Sequence, residues 1–309
     1  MKLSIVATLY QSAAYIAEFH QRASAAAQQL VGDDYEIVFV NDGSPDNSLE
    51  LAVQLTERDA RVVVVDLSRN FGHHKAMMTG LAHAKGNHVF LIDSDLEEEP
   101  EFLLSFAEQM ESEACDVVYG VQEQRKGGWF ERWSGELYYS VINWLSDIDH
   151  PKNILTARLM TRRYVDALLT YRERELVISY LWVITGFKQC ERLVKKHSSS
   201  ATGYGLRKKF GLTVNVTTSF SEMPLKLIFY IGISVFLGAL TYASYLTFGR
   251  LFFYQTIDGW TSVMVSVWAL GGMTISFLGI IGIYLAKIFS ETKQRPLTVI
   301  RNIYGRSKP

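Results

Sequence analysis

Residues 90–100 read FLIDSDLEEEP, an apolar run that breaks into five carboxylates within seven positions and then a proline. The apolar run has the look of a buried strand. The acidic run has two readings. A loop feeding a helix collects Asp and Glu because the positive end of the helix dipole favours them. Alternatively, Asp93 and Asp95 are a carboxylate pair that holds a divalent cation against a nucleotide diphosphate. The surrounding pattern decides between them.

Working outward, short β-branched runs alternate with helical patterns. LSIVATL, EIVFVND, RVVVVDLS, HVFLIDSD and DVVYGVQ read as strands, and 13–30, 46–59, 73–85 and 100–112 as helices between them. That alternation predicts an α/β fold, a mainly parallel, Rossmann-like sheet with helices on both faces. In such sheets ligands bind beyond the carboxyl ends of the strands. Polar residues gather at those ends: Thr8 and Tyr10, Asn41 and Asp42, Ser68 to Asn70, then Asp93 and Asp95. Four polar strand ends on one rim read as a site. The first of them, TLYQSA, is no GxGxxG, and there is no P-loop, so a dinucleotide fold is not indicated. The turn NDGSPDNS leads into a helix start, and its Asp42 can accept from a base or ribose.

A chain of 309 residues with a net charge of -1 has no basic excess for nucleic acid. Its two cysteines, Cys115 and Cys190, form no CxxC and suggest a reducing compartment over a disulfide-built secreted fold. No charged residue occurs from Leu227 to Gly249, nor from Gly259 to Ala286. Each run reaches the roughly 20 residues that cross a bilayer as a helix. The expected organisation is a catalytic domain over 1–224, a transmembrane hairpin over 225–286 and a basic tail over 287–309. Lys287, Lys293, Arg295, Arg301, Arg306 and Lys308 face only Glu291 in that tail, while the connecting loop has Arg250 and Asp258. Positive-inside bias therefore predicts an inner-membrane protein with both termini in the cytoplasm. Gly272, Ser276, Gly279 and Gly282 line one side of the second span, a face that permits close packing in the hairpin or in a homo-oligomer.

Taken together, VNDGSPDNS, SRNFGHHKA, LIDSDLEEEPE and KQRPLTVI resemble the polyisoprenyl-phosphate glycosyltransferases of glycosyltransferase family 2. The likeness is to bacterial bactoprenol-phosphate sugar transferases and dolichol-phosphate mannose synthases, and it covers nearly the whole chain. It implies a GT-A fold, a nucleotide-sugar donor (UDP first), Mg²⁺ or Mn²⁺, and a polyisoprenyl phosphate acceptor. It also implies a metal-dependent, inverting transfer of one sugar, for cell-envelope glycan assembly or modification. By position, the resemblance gives Asp42 a nucleoside contact and sets the family's DxD pair on Asp93 and Asp95, with Asp95 on the metal and Asp93 on ribose or metal. Arg69 and Asn70 match the RNFG turn, Glu98 and Glu101 match acids after the pair, and Arg158 matches an arginine of a DFRLM segment. The chain departs from the family where PxYNE is TLYQS, where Thr156 replaces the acid before Arg158, and where His197, Ser200, Thr202 and Tyr204 stand on an RxxGxS-Y segment.

Thr156 is tolerable on chemical grounds, because a lipid monophosphate is substantially anionic near neutral pH and needs no general base to attack. Arg158, Arg163, Lys196 and Arg207 are the candidate holders of that phosphate. Trp129, Phe130, Trp133, Tyr138, Tyr139 and Trp144 suit either an interfacial helix or a packed one. Two other functions fit less well. A processive polysaccharide synthase would carry a QxxRW sequence, and GGWFERW has no glutamine in place; a catalytically dead scaffold would not need the intact Asp93/Asp95 pair.

Overall fold

The computed structural model describes residues 2–122, 153–174, 176–195, 223–253 and 259–305. The chain divides into two units, one made of 1–132, 148–203 and 295–309, the other of 133–147 and 204–294.

In the first unit the β-branched runs become β1 (Leu3–Leu9), β2 (Tyr35–Asn41), β3 (Val62–Leu67), β4 (His88–Asp93) and β5 (Val117–Gln122). Helices α1 (Ile16–Val31), α2 (Ser48–Arg58), α3 (His73–His83) and α4 (Phe102–Glu113) intervene. Three further strands, β6 (Ile154–Thr161), β7 (Gln189–Val194) and β8 (Ile300–Tyr304), and two short helices, α5 (Arg162–Leu168) and α6 (Ile178–Ile184), complete it. The sheet order is β7-β5-β6-β4-β1-β2-β3-β8. The sheet is mainly parallel, as expected, and mixed: β4, β1, β2 and β3 are parallel, as are β5 and β7, while β6 runs against β4 and β5, and β8 against β3.

β1, β2 and β3 are buried along their whole length, which is why they read as continuous apolar runs. Ile5, Phe39, Phe90 and Ile92 pack against Phe19 of α1 and Leu103 and Phe106 of α4 to form the core of one face. Each such side chain contributes about 1.5–3 kcal/mol on burial. On the other face α3 lies so close that a Cβ on Gly80 would stand 2.4 Å from Val6 Cγ1 and 2.9 Å from Val40 Cγ2. Glycine at 80 is what lets this helix sit down on the sheet.

Cys115 and Cys190, read as suggesting a reducing compartment, are disulfide-bonded: Cys115 lies two residues before β5 and Cys190 in the neighbouring strand β7, with Cα atoms 6.2 Å apart. Their sequence separation of 75 hid a pairing that exists only because β7 returns beside β5. The segment read as a basic tail also differs from expectation, since its residues 300–304 form an edge strand of this sheet.

The second unit contains α7 (Met223–Phe253) and α8 (Trp260–Thr292). Ser266–Thr292 is long and apolar enough to cross a membrane, and Met223–Ala239 is a shorter apolar stretch. Apolar side chains on α8 face outward, with Trp268 76% and Ile275 73% exposed.

Candidate active site

The carboxyl ends of β1, β2, β3 and β4 lie side by side, with Thr8 opposite Asp93, Leu9 opposite Asn41 and Asn41 opposite Asp66. The loops beyond these ends are laced to one another by hydrogen bonds. Asp42 is buried, and its two oxygens accept from the backbone N–H groups of Phe71 (2.7 Å) and Gly72 (3.0 Å). Burial raises the Asp42 carboxyl above the usual carboxylate range, against the pull of those two amides and of His73 and Arg69. Next to it Gly43, at φ +60, passes so near the 69–70 loop that a Cβ would stand 2.4 Å from Asn70 N. The Arg69 backbone shares this crowding, while its guanidinium lies 4.1 Å from the centre of the Phe71 ring; Tyr10 is half exposed.

Asp93 closes β4. His73, the first residue of α3, bridges it to β1: Nδ1 is 3.1 Å from Thr8 Oγ1 and Nε2 is 3.3 Å from Asp93 Oδ1. The imidazole is near that oxygen but not aligned as a donor, so Oδ1 is a buried carboxylate oxygen with no hydrogen-bond partner. Such an atom is expensive to leave without an electropositive neighbour. Ser94 turns inward and donates to Thr8 O (2.8 Å), with Ser12 Oγ also within hydrogen-bond distance (3.0 Å). Asp95 is exposed, and its Oδ1 accepts from Glu97 N at 3.0 Å. An orphaned buried carboxylate oxygen and a second carboxylate two residues on are hard oxygen donors that fit Mg²⁺ or Mn²⁺.

Two other acids of the 90–101 stretch serve the fold. Glu98 is buried and accepts from Thr156 N (3.2 Å) and Ala157 N (2.6 Å), tying the loop to the start of β6. Glu101 takes a forked pair from Arg22 of α1 (2.9 and 2.7 Å), and the hydrogen bond to that arginine lowers its pKa.

Of the cations proposed for the acceptor phosphate, the sheet separates two. Arg163 follows β6 at the end where Thr161 pairs with His88, the start of β4, so it lies about 17 Å along the strand from the Asp93 end. There it is ion-paired with Asp116, and the expected phosphate contact is corrected accordingly. Arg158 pairs with Leu91, two residues short of Asp93, and is fully buried. Its guanidinium lies 2.9 Å from the centre of the Trp182 ring and donates to the carbonyls of Leu155 and Thr156. Burial pushes it down to about 9. It borders a cavity of about 230 Å³ with Tyr119, Phe187 and Gln189, below the rim rather than on it. Lys196, Arg207 and the aromatic stretch 129–144 lie outside the described residues.

Sequence reasoning passed over Asp66 and Asp46. Asp66 is an acid in the middle of VVVVDL, and an acid inside an apolar strand demands a buried partner. That was the available signal. Asp46, in a turn of polar residues, gave none.

The model of the family described as Glycosyl transferase family 2 matches residues 4–172, which hold this entire rim. The chain belongs to glycosyltransferase family 2. A Mycobacterium tuberculosis (strain CDC 1551 / Oshkosh) protein named among glycosyltransferases is 50% identical to it, over 99% of this chain and 89% of its own length. The bactoprenol glucosyl transferase of Shigella phage SfV is 30% identical, over 98% of this chain and 99% of that protein. Among solved structures, Staphylococcus aureus TarS 1-349 in complex with UDP-GlcNAc superposes with a TM-score of 0.48 and 18% identity, covering 71% of this chain and 66% of that one. This family-2 chain is a glycosyltransferase whose sheet is mixed.

Proposed function

We propose that this transferase moves a single sugar from a nucleotide sugar, UDP-linked in the first instance, to a polyisoprenyl phosphate at the cytoplasmic membrane. The observation that carries the reading is the buried Oδ1 of Asp93 at the rim, which accepts no hydrogen bond and has His73 Nε2 3.3 Å away, two residues from Asp95. The near-full-length similarity to a bactoprenol glucosyl transferase supports the acceptor class.

In this reading the loops laced through Asp42, Gly43 and Arg69 surround the nucleoside, and Asp93 and Asp95 hold Mg²⁺ or Mn²⁺. When bound, that ion offsets charge gathering on the departing diphosphate. A phosphate oxygen of the lipid attacks the anomeric carbon as the bond from that carbon to the nucleoside diphosphate breaks. The leaving diphosphate takes the electron pair, and the sugar inverts. The attacking phosphate has a second pKa of about 6, so no side chain has to remove a proton. Thr156 can then stand where relatives of the resemblance carry an acid. His73, between Thr8 and Asp93, keeps the first carboxylate in place. The two apolar helices form the membrane hairpin, and Lys196 and Arg207 are the cations left to meet the acceptor.

The test is to incubate the full-length protein in detergent with a panel of nucleotide sugars and short polyprenyl phosphates and to weigh the lipid product. A mass gain of one sugar residue is expected, abolished by EDTA and restored by Mg²⁺ or Mn²⁺. Asp95→Asn should lower turnover by about a hundredfold or more with the melting temperature kept. Transfer indifferent to chelation, or an active Asp95→Asn protein, removes the metal assignment; products longer than one sugar favour a processive synthase.

A further inference from the structure

We propose that Arg301, on the strand that comes after the two apolar helices, is a positioning residue for the donor and acts through Asp66 and Asn41 on the turn 42–48. The inference rests on the proposed binding of a nucleotide-sugar donor at this rim.

The pairing of β8 with β3 is irregular at one point. Asp66 is opposite Asn302 and Leu67 is opposite Ile300, so Arg301 is the extra residue of a bulge. Bulges re-aim side chains. This one points the Arg301 fork at the end of β3, where Nη2 donates to Ser68 O at 2.7 Å and Nη1 lies 3.4 Å from Asp66 Oδ2. Asp66 is 1% exposed, and its Oδ1 accepts from Asn41 Nδ2 at 2.8 Å.

That bond fixes which way the Asn41 amide faces. With its nitrogen committed to Asp66, its oxygen accepts from Ser44 N at 3.2 Å; a reversed amide would set oxygen against carboxylate and NH₂ against N–H. Ser44 Oγ in turn receives Gln11 N (2.7 Å) and donates to Asp46 (2.6 Å). A continuous chain of polar contacts therefore runs from β8 through the end of β3 into the turn after β2 and the loop after β1. Asp93 is not a member of it. Without Arg301 the buried Asp66 charge keeps one neutral donor, the Asn41 amide is released, and the turn loses a fixed acceptor. The cost falls on donor binding and not on the chemical step.

The experiment uses the full-length protein in detergent, with UDP affinity measured by calorimetry in the presence of Mn²⁺ and with donor KM and kcat measured separately. Arg301→Ala is expected to raise UDP Kd and donor KM about tenfold and to leave kcat within about twofold. Arg301→Lys should recover part of the loss, because an ammonium reaches Asp66 but cannot fork to Ser68 O as well. In an Asp66→Asn background Arg301→Ala should add little, the non-additivity of residues in one network. Should Arg301→Ala fail to fold, Arg301→Lys and Asp66→Asn, singly and combined, read the same coupling. A lowered melting temperature with unchanged Kd, equal losses in kcat and KM, or additive effects overturn the proposal. Wild-type protein that binds no UDP sinks the donor reading and this inference with it; wild-type binding matched by every variant sinks the inference alone.

Discussion

Asp46 accepts hydrogen bonds from Ala13 N, Ser44 Oγ, Ser48 N and Ser48 Oγ, drawing the loop after β1 and the first turn of α2 onto one carboxylate. Burial by itself would raise its pKa, but the four donors outweigh that and hold it down at about 2. The ordinary value, reached when the chain unfolds, is 3.8. A depressed folded pKa means that the unfolded chain binds the proton first, so Asp46 stabilises fully above pH 3.8 and loses that contribution as pH falls through about 2. Unfolding of wild type and Asp46→Asn, measured from pH 5 to pH 2, should therefore converge: wild type starts more stable and falls further. Parallel curves would mean that the carboxylate is not stabilised by its donors. Asp93 presents the opposite local chemistry, with a buried oxygen that accepts no hydrogen bond and has the misaligned His73 Nε2 beside it. Asp46 is satisfied from within the chain, whereas in the proposed reading Asp93, at the end of β4, takes a divalent cation.

At the scale of elements, the rim depends on how closely the turn after β2 passes the β3–α3 loop. Gly43→Ala places a Cβ 2.4 Å from Asn70 N and 2.6 Å from the Arg69 carbonyl carbon, both backbone atoms that cannot swing away. It also forces a side chain into the left-handed region, at about 1–2 kcal/mol. The variant should fold and bind UDP about tenfold more weakly, as calorimetry would read; unchanged affinity would show that the two loops do not share the nucleotide. The strands that support these loops were legible in the sequence because β1 to β3 are buried along their length and β4 over its middle four residues, so that they spell mainly apolar runs rich in β-branched residues. β7, QCERLV, and β8, IRNIY, are edge strands with one polar side, and their short polar–apolar mixtures carry no such signal. The same limit governed the site. Thr8, Asp42, Asp93 and Asp95 announce themselves by ending apolar runs, whereas Arg301 becomes part of the rim only through a pairing with β3 that is 235 residues distant from Asp66.

At the scale of the whole molecule, the return of the chain after α8 restricts its topology. β8 completes a sheet whose other strands precede the apolar helices, and Ser68 N donates to Val299 O while Thr79 and Thr298 share a hydroxyl contact. Residues on both sides of 223–292 are therefore expected on one face of any bilayer, with an even number of crossings between them. If Ser266–Thr292 crosses, a second crossing accompanies it, and α7 is the apolar helix available. Cysteines placed at Gln255 and Ser307 should accordingly react with an impermeant maleimide from opposite sides; reaction from the same side would contradict a hairpin. The return also leaves β3 dependent on the far end of the chain. Cut after residue 222, the catalytic unit would expose the edge of VVVVDL, a β-branched strand with its ladder unpaired and Asp66 stripped of Arg301. Such an edge recruits other chains. A protein ended there is expected to aggregate, and one in which 295–305 is rejoined through a flexible linker to stay monomeric and to melt at a higher temperature. Equal behaviour of the two in size-exclusion chromatography and thermal unfolding would show that β8 is dispensable to the sheet it completes.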